Sequence, residues 1–172
     1  MTLQNQIPTN EIVEFSDVEK AQIDKLLLEN PHISGVSIDA LKIIQNHRSW
    51  VSDACILSLS QYLDLPLSDL ESVATFYNLI FRQPVGKVVL HPCDGISCDL
   101  MGGEHIRKCL SNKLEINNGQ TTKDNQFTLI SLPCLGACDK APVMIANETL
   151  FELIQEKNLP LIINNLKEAI SK

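Results

Sequence analysis

The sequence of 172 residues predicts an α+β protein, in which a small N-terminal helical bundle is followed by an α/β domain. Two observations lead to this fold class. Helix-capping residues and apolar positions at helical spacing dominate up to about residue 80. From residue 84 onward, short β-branched runs alternate with helical segments, which is typical of an α/β unit. We therefore predict an arm with a helical bundle at residues 1–83 and a second domain at residues 84–172.

The first helix has a clear start and end. Residues 1–15 are predicted to form a loose arm. Ser16 and Glu19 fit a capping box, in which the serine hydroxyl accepts from the third helical amide and the glutamate reaches back to the cap. The helix should then run to about Asn30, because Pro31 disfavours helical backbone in the residue before it.

Three further helices complete the predicted bundle. One spans residues 37–47, with apolar side chains on one face, and the next is capped by Ser52. A second capping box, Ser68-Asp69-Leu70-Glu71, is predicted to open the fourth helix. Phe76 and Tyr77 at its end are expected in the bundle core, with contact to a partner protein as the alternative.

The second half of the chain alternates between strand and helix patterns. Runs of β-branched and apolar residues predict strands, Gly102-Gly103 precedes a helical stretch, and Asn117-Asn118-Gly119-Gln120 is a turn signal. The predicted strands cover residues 87–91, 127–132 and 143–146, and the closing helix covers residues 161–170.

The charge distribution argues against nucleic acid as a partner. The net charge is −7. Residues 1–86 carry 11 acidic and 5 basic residues, and residues 87–172 carry 10 acidic and 9 basic ones. Binding to phosphates needs clustered Lys and Arg, whereas residues 49–81 contain neither. This composition also argues against a DNA-binding helix-turn-helix.

The sequence also indicates the compartment. No apolar run reaches the roughly 18–20 residues that a membrane-spanning helix needs, so we expect no direct membrane insertion. The N-terminus has neither a signal-peptide core nor a transit-peptide pattern. We therefore expect a cytoplasmic protein, or a mature organellar one, in which the six cysteines are not disulfide-bonded.

Four of these cysteines form the strongest functional pattern. Cys93 and Cys98 are spaced C-x4-C, and Cys134 and Cys138 follow after 35 residues as C-x3-C. Both pairs come directly after predicted strands, where the loops of an α/β sheet usually place functional residues. Two close pairs of thiolates from distant parts of the chain indicate a metal or iron–sulfur site. Backbone amides of the two loops are expected to point at the sulfurs.

The spacing alone leaves two kinds of site open. An iron–sulfur cluster fits the first pair, whose spacing resembles the start of the plant-type [2Fe–2S] pattern. A structural zinc site made of the same four thiolates is the alternative. Cys55 and Cys109 fall in helical segments without an evident partner and are predicted to be small core residues. His91 is predicted to be a half-buried strand residue and not a ligand.

Several segments around the cysteines resemble the family of the 24 kDa subunit of NADH:quinone oxidoreductase. They occur in the same order as in that family and cover roughly residues 35–155. The segments are Val73-Ala74-Thr75-Phe76-Tyr77, Pro84-Val85-Gly86-Lys87, Gly119-Gln120-Thr121-Thr122-Lys123-Asp124, Phe127-Thr128-Leu129, Cys134-Leu135-Gly136-Ala137-Cys138 and Ala141-Pro142-Val143-Met144.

The resemblance implies a thioredoxin-like [2Fe–2S] domain and an electron-transfer subunit of respiratory complex I. It implies that Cys93, Cys98, Cys134 and Cys138 hold one [2Fe–2S] cluster, which exchanges electrons with the flavin of a partner protein. That partner would bind NADH, FMN and a [4Fe–4S] cluster, and a larger iron–sulfur protein of the complex is a further candidate neighbour. The complex would hold the chain on the cytoplasmic side of the inner membrane. No acid–base catalytic residue is expected in this chain.

Related proteins define the competing hypotheses. The same fold would serve the diaphorase module of a soluble NAD-linked hydrogenase or formate dehydrogenase, and a zinc-stabilised binding module is the third candidate. Pro133 departs from the family, which usually has an acidic residue there. Because proline removes one backbone donor, we expect a retuned cluster site and not a lost one. Pro142 is a candidate for a cis peptide bond.

Overall fold

The computed structural model describes residues 12–170. Its contacts divide the chain into two compact units, Met1–Pro84 and Val85–Lys172. The part of the predicted arm at residues 1–11 lies outside the described residues.

The first unit is helical. Its core is made of apolar side chains from all four helices and from the segments between them. A short 3-10 helix, Ile33–Val36, precedes the second helix. The four α-helices are α1 (Asp17–Glu29), α2 (Ser37–Arg48), α3 (Asp53–Leu63) and α4 (Leu67–Phe76).

The predicted capping box at the start of α1 is confirmed, and it carries an additional ion pair. The Ser16 hydroxyl accepts from the Glu19 amide, and the Glu19 carboxylate accepts from the Ser16 amide. Arg48 of α2 donates to both oxygens of that carboxylate, at 2.7 and 2.9 Å. Glu19 is only 1% exposed. A buried carboxylate needs such partners, so this pair fixes α1 against α2.

Two expectations about the ends of segments in this unit are wrong. Residues 12–15 are not loose, because Phe15 is buried and the Val13 amide donates to the Ser58 hydroxyl at 2.8 Å. The predicted capping box at Ser68 does not form. Helix α4 starts earlier, with Pro66 at the cap position, so Ser68 already lies in its first turn.

The aromatic pair at the end of α4 is exposed, so the expectation that it belongs to the core is also wrong. Phe76 is 77% and Tyr77 is 44% exposed, and their rings meet edge to face at 5.1 Å. The buried positions of α4 are Leu70 and Ala74. Phe76 lies two residues beyond Ala74, about 200° around the helix, and therefore points away from the core.

The second unit contains a five-stranded mixed sheet with the order β2-β3-β1-β4-β5. The central pair β1 and β3 is parallel, and the other neighbours are antiparallel. The strands are β1 (Val88–Pro92), β2 (Gln120–Thr121), β3 (Phe127–Leu129), β4 (Met144–Ala146) and β5 (Thr149–Phe151). The helices are α5 (Ile96–Leu100), α6 (Gly103–Leu114) and α7 (Leu159–Ile170).

One face of this sheet packs against α6 and α7. Val88 and Leu90 of β1 share a cluster with Ile106 and Leu110 of α6 and Ile163 of α7. Helix α6 therefore serves as the crossover between the parallel strands β1 and β3. This arrangement agrees with the predicted strand–helix–strand unit.

Strands β2 and β5 and helix α5 are present in the structure but were not predicted from the sequence. Asn147 follows β4 in left-handed backbone conformation, and its side chain accepts from the Val89 amide at 2.8 Å. Asparagine in a two-residue loop is a hairpin signal, so β5 has a readable signature. The predicted strand at residues 127–132 ends as β3 at Leu129, but the following residues continue beside β1 through a parallel bridge between Cys93 and Leu132.

The structure also bears on the expectations about Pro142 and about membrane insertion. The peptide bond between Ala141 and Pro142 is cis. Among the described residues, no helix is both long enough and apolar enough to cross a membrane.

The ion pair in the first unit predicts a pH-dependent stability. Hydrogen bonds from Arg48 lower the pKa of Glu19 to about 2 from 4.5. The unfolded chain then binds more protons, so this stabilisation is complete above about pH 4.5 and is lost as the pH falls toward about 2. Glu19→Gln should lower the free energy of unfolding by roughly 2–3 kcal/mol at pH 7 and by clearly less at pH 3, as measured by urea unfolding.

The matched control is Glu29→Gln, which removes an exposed carboxylate of the same helix that pairs with Lys25. It should change the free energy of unfolding by less than about 0.5 kcal/mol at either pH. A Glu19→Gln effect of the same size at pH 3 and pH 7 would contradict the assignment.

Candidate functional site

The four candidate cysteines lie at one end of the sheet. Cys93 follows β1 directly, and Cys98 is on α5. Cys134 lies in the loop that follows the extension of β3, and Cys138 begins the short 3-10 helix Cys138–Lys140. Two backbone contacts hold these segments together: the Asp94 amide donates to the Leu132 carbonyl, and the Cys93 amide donates to the Val143 carbonyl, both at 3.0 Å. The sheet thus brings together residues that are about 40 positions apart in sequence.

The thiols form two close pairs. The sulfurs of Cys134 and Cys138 are 3.4 Å apart. Burial raises the pKa of Cys98, and the nearby thiols of Cys93 and Cys138 act in the same direction. None of the four is in a disulfide bond. Two pairs of thiols match a centre that takes two ligands at each of two iron atoms.

The two pairs differ in exposure. Cys93 and Cys98 are buried, at 3% and 1% exposure, whereas Cys134 and Cys138 are exposed. Ala141 and Val143 pack against the buried pair and form an apolar wall behind it. One side of the site is therefore dry and the other side faces solvent.

Backbone amides point at the sulfurs, as expected for the loops at the strand ends. The Gly95 amide donates to the Cys93 sulfur at 3.4 Å. The backbone amides of Gly136 and Val143 also face sulfurs: the Gly136 amide lowers the pKa of Cys134, and the Val143 amide partly offsets the burial that raises the pKa of Cys98. Such N–H···S bonds stabilise negative charge on sulfur and help to set the reduction potential of a bound cluster.

These contacts separate the acidities of the thiols. The Gly136 amide lowers the pKa of Cys134, and the thiol of Cys138 adds to that effect. Burial raises the pKa of Cys98. The neighbouring Cys134 raises the pKa of Cys138, while the Ser97 hydroxyl opposes this shift.

Arg107 of α6 ties the first cysteine loop to the helix behind it. Its guanidinium donates to the Cys93 carbonyl at 2.8 Å and pairs with Asp99 of α5 at 2.7 Å. The Asp99 carboxylate raises the pKa of Arg107, so this group stays charged. It orients the backbone of Cys93 through the carbonyl group.

The other cysteines and His91 only partly follow the predictions. Cys55 is a buried core residue, as expected. His91 is fully buried and not half-buried, and its Nδ1 lies 2.9 Å from the Ile130 carbonyl. Burial lowers the pKa of His91. Cys109 is partly buried and packs against the core of the second unit, as expected, but it also has close polar partners, His105 and Glu156, which the prediction did not include.

The residues present fit an iron–sulfur cluster. Four thiols form the donor set, they are arranged as two pairs, and amides approach three of the sulfurs. A thioredoxin-like sheet with this thiol site at its end defines an iron–sulfur protein of the ferredoxin class.

Comparison with known sequences identifies the family. The sequence model of the thioredoxin-like [2Fe-2S] ferredoxin family matches residues 23–167. The chain belongs to this family. Family membership favours a [2Fe–2S] cluster over the zinc alternative.

The chain is also similar to bacterial proteins named as the E subunit of NADH-quinone oxidoreductase. It is 40% identical to the protein of that name from Escherichia coli (strain K12) over 164 residues, which is 95% of this chain and 99% of the relative. The protein of the same name from Pseudomonas aeruginosa is 40% identical over 148 residues, covering 86% of this chain and 89% of the relative.

Solved structures of an NAD+-reducing [NiFe]-hydrogenase share the fold. The H2-reduced form superposes on 74% of this chain with a TM-score of 0.64 and 22% identity. This chain spans only 22% of the length of that hydrogenase chain. At this identity the likeness shows the fold alone.

The packing at Gly103 yields a test of the site. A Cβ atom at Gly103 would lie 2.7 Å from the Cys98 carbonyl oxygen and 3.1 Å from the Cys98 Cβ. Gly103→Ala must therefore displace Cys98, and we expect a loss of about 1–3 kcal/mol in stability together with less iron bound per chain. Thermal unfolding and iron analysis measure both effects.

Gly35→Ala is the matched control, because a Cβ there meets nothing within 4 Å. Equal iron content in the two variants would show that the contact at Gly103 does not position Cys98.

Proposed function

We propose that this chain is the electron-transfer subunit of the NADH-oxidising module of an NADH:quinone oxidoreductase. Cys93, Cys98, Cys134 and Cys138 hold one [2Fe–2S] cluster in this proposal. The observation that carries it is the pairing of the four thiols at one end of the sheet, in a chain of the thioredoxin-like [2Fe-2S] ferredoxin family. The similarity to NADH-quinone oxidoreductase proteins over nearly the whole chain supports the parent complex.

The cluster, when bound, takes up and releases one electron at a time. The protein supplies four ligands, amide donors and a partly dry pocket. The buried pair, Cys93 and Cys98, keeps water from one side of the site, and the amides of Gly95 and Gly136 compensate negative charge on sulfur. Electrons would enter and leave on the side of Cys134 and Cys138, where the protein covering is thinnest.

Exposed apolar side chains beside the site support docking to a partner protein. Ile96, Leu100 and Met101 are 78%, 81% and 64% exposed and flank Cys98 along α5. Contiguous exposed apolar residues mark interaction surfaces. We assign this surface to the subunit that binds NADH and FMN. The complex would hold this chain on the cytoplasmic side of the inner membrane.

A diaphorase subunit of a soluble hydrogenase is the second candidate, because the hydrogenase structures share the fold. The sequence relationship favours the quinone-reducing complex: identity to the Escherichia coli NADH-quinone oxidoreductase protein is 40%, against 22% to the hydrogenase chain.

The ligand assignment predicts the spectra of single variants. The purified full chain should be red-brown, contain two irons and show a rhombic EPR signal on reduction, as a thiolate-ligated [2Fe–2S] centre does. Cys93→Ser, Cys98→Ser, Cys134→Ser and Cys138→Ser should each lose or alter this spectrum, because each removes one ligand. Absorption, EPR and iron analysis make the comparison.

Cys55→Ser and Cys109→Ser are the matched controls and should keep the native spectrum. A colourless protein with one zinc per chain would contradict the cluster. A native spectrum in Cys98→Ser with its loss in Cys109→Ser would contradict the ligand set.

The parent complex can be tested in cells. Deletion of the gene should abolish NADH:quinone reductase activity in isolated membranes, and the wild-type gene should restore it. A gene with Cys134→Ser should restore less activity than one with Cys55→Ser. Full membrane activity in the deletion strain, combined with loss of soluble hydrogen-dependent NAD+ reduction, would assign the chain to the hydrogenase instead.

A further inference from the structure

A second group of potential metal ligands is formed by α6 and the segment before α7. It shares no residue with the four-cysteine site. His105 and Cys109 are one helical turn apart on the same face, and Glu156 faces them from the short 3-10 helix Glu156–Asn158. The His105 Nε2 atom is 2.8 Å from a Glu156 oxygen and 3.4 Å from the Cys109 sulfur. All three ligand atoms lie within 4.8 Å of one another.

The donor types suit a zinc ion. Imidazole nitrogen, thiolate sulfur and carboxylate oxygen are the usual ligands of zinc, and three protein ligands with an open fourth position form a common arrangement. One thiolate and one carboxylate together balance the charge of a divalent ion. The i, i+4 spacing of His105 and Cys109 places two ligands side by side on a rigid helix before any ion arrives.

Two of the three distances between ligand atoms are close to those that zinc requires. Bonds of about 2.0–2.3 Å in a tetrahedron place neighbouring ligand atoms roughly 3.3–3.7 Å apart. The separation of 3.4 Å between His105 and Cys109 falls in this range. The hydrogen bond of His105 to Glu156 is shorter and must lengthen by about half an ångström. Both side chains are more than 60% exposed, so this adjustment meets little resistance.

A surface groove gives access to the group. Cys109 and Glu156 both line it, together with Asn112, Lys113 and Gln155. An ion can therefore reach the three ligand atoms from solvent, and water can supply the fourth ligand.

We propose that His105, Cys109 and Glu156 form a zinc-binding site with one open coordination position. The bound ion links α6 to the segment that precedes α7, so zinc stabilises the second unit. This site goes beyond the proposed electron-transfer function and does not depend on it.

The test uses the full chain with its cluster loaded. The protein is incubated with ZnCl2, separated from free zinc, and analysed for zinc and iron. We expect one zinc per chain with unchanged iron and an unchanged visible spectrum. Competition with a chromophoric zinc chelator should show affinity weakened at least about tenfold in His105→Gln, Cys109→Ser and Glu156→Gln, since each lacks one ligand.

Two variants serve as matched controls and should bind zinc like the wild type. Lys108→Gln changes an exposed neighbour on the same helix, and Cys55→Ser removes a cysteine of the first unit. Glu156→Gln is the decisive ligand variant, because Glu156 is exposed and its replacement leaves the core intact. Zinc should also raise the unfolding temperature of the wild type more than that of Glu156→Gln at the same zinc concentration, because a ligand that binds only the folded state stabilises it more the more tightly it binds.

Three results would overturn the proposal. The first is no zinc bound by the wild type, which would leave His105 and Glu156 as a simple ion pair. The second is zinc uptake that is accompanied by an equal loss of iron, which would place the ion at the four-cysteine site. The third is unchanged zinc affinity in Glu156→Gln.

Discussion

The parallel alignment of β1 with the chain that follows β3 is the constraint on which the site depends. The bridge between Cys93 and Leu132 places the first cysteine loop beside the second. On the opposite side, the Cys93 amide donates a hydrogen bond to the carbonyl of Val143, in the segment that precedes β4. Because both flanks of Cys93 are fixed by backbone hydrogen bonds, its sulfur has little freedom to move. A loop held on one side only would leave the two cysteine pairs free to separate.

The uneven burial of the two pairs has electrostatic consequences. Burial disfavours thiolates, and it raises the pKa of Cys98. Amide donors act in the opposite direction and lower the pKa of Cys134. The two exposed sulfurs differ from each other, because the neighbouring Cys134 raises the pKa of Cys138. Arg107 adds a fixed positive charge behind the Cys93 loop through its bond to that carbonyl.

The parts of this structure that have local causes could be predicted from the sequence. The Ser16 capping box and the strand ahead of Cys93 follow from short patterns. The exposure of Phe76 also has a local cause, its position about 200° around α4 from the buried Ala74. The start of α4 after Pro66 is not predicted by the Ser68 pattern. The partners of Cys109 include one that the sequence predicts and one that it does not. His105 lies one helical turn before Cys109, so the spacing alone indicates their contact. Glu156 is 47 positions further along the chain, and only the tertiary fold brings it close.

The contacts around Pro133 define its effect on the site. It follows Leu132, whose amide donates to the Pro92 carbonyl, and it precedes Cys134. The amides that approach sulfur belong to Gly95, Gly136 and Val143, so the donor that proline lacks is not one of them. Proline also fixes φ at the entry to the loop. Its effect should therefore be on the stiffness of the second cysteine loop, with the amide contacts at three of the sulfurs, those of Cys93, Cys98 and Cys134, retained.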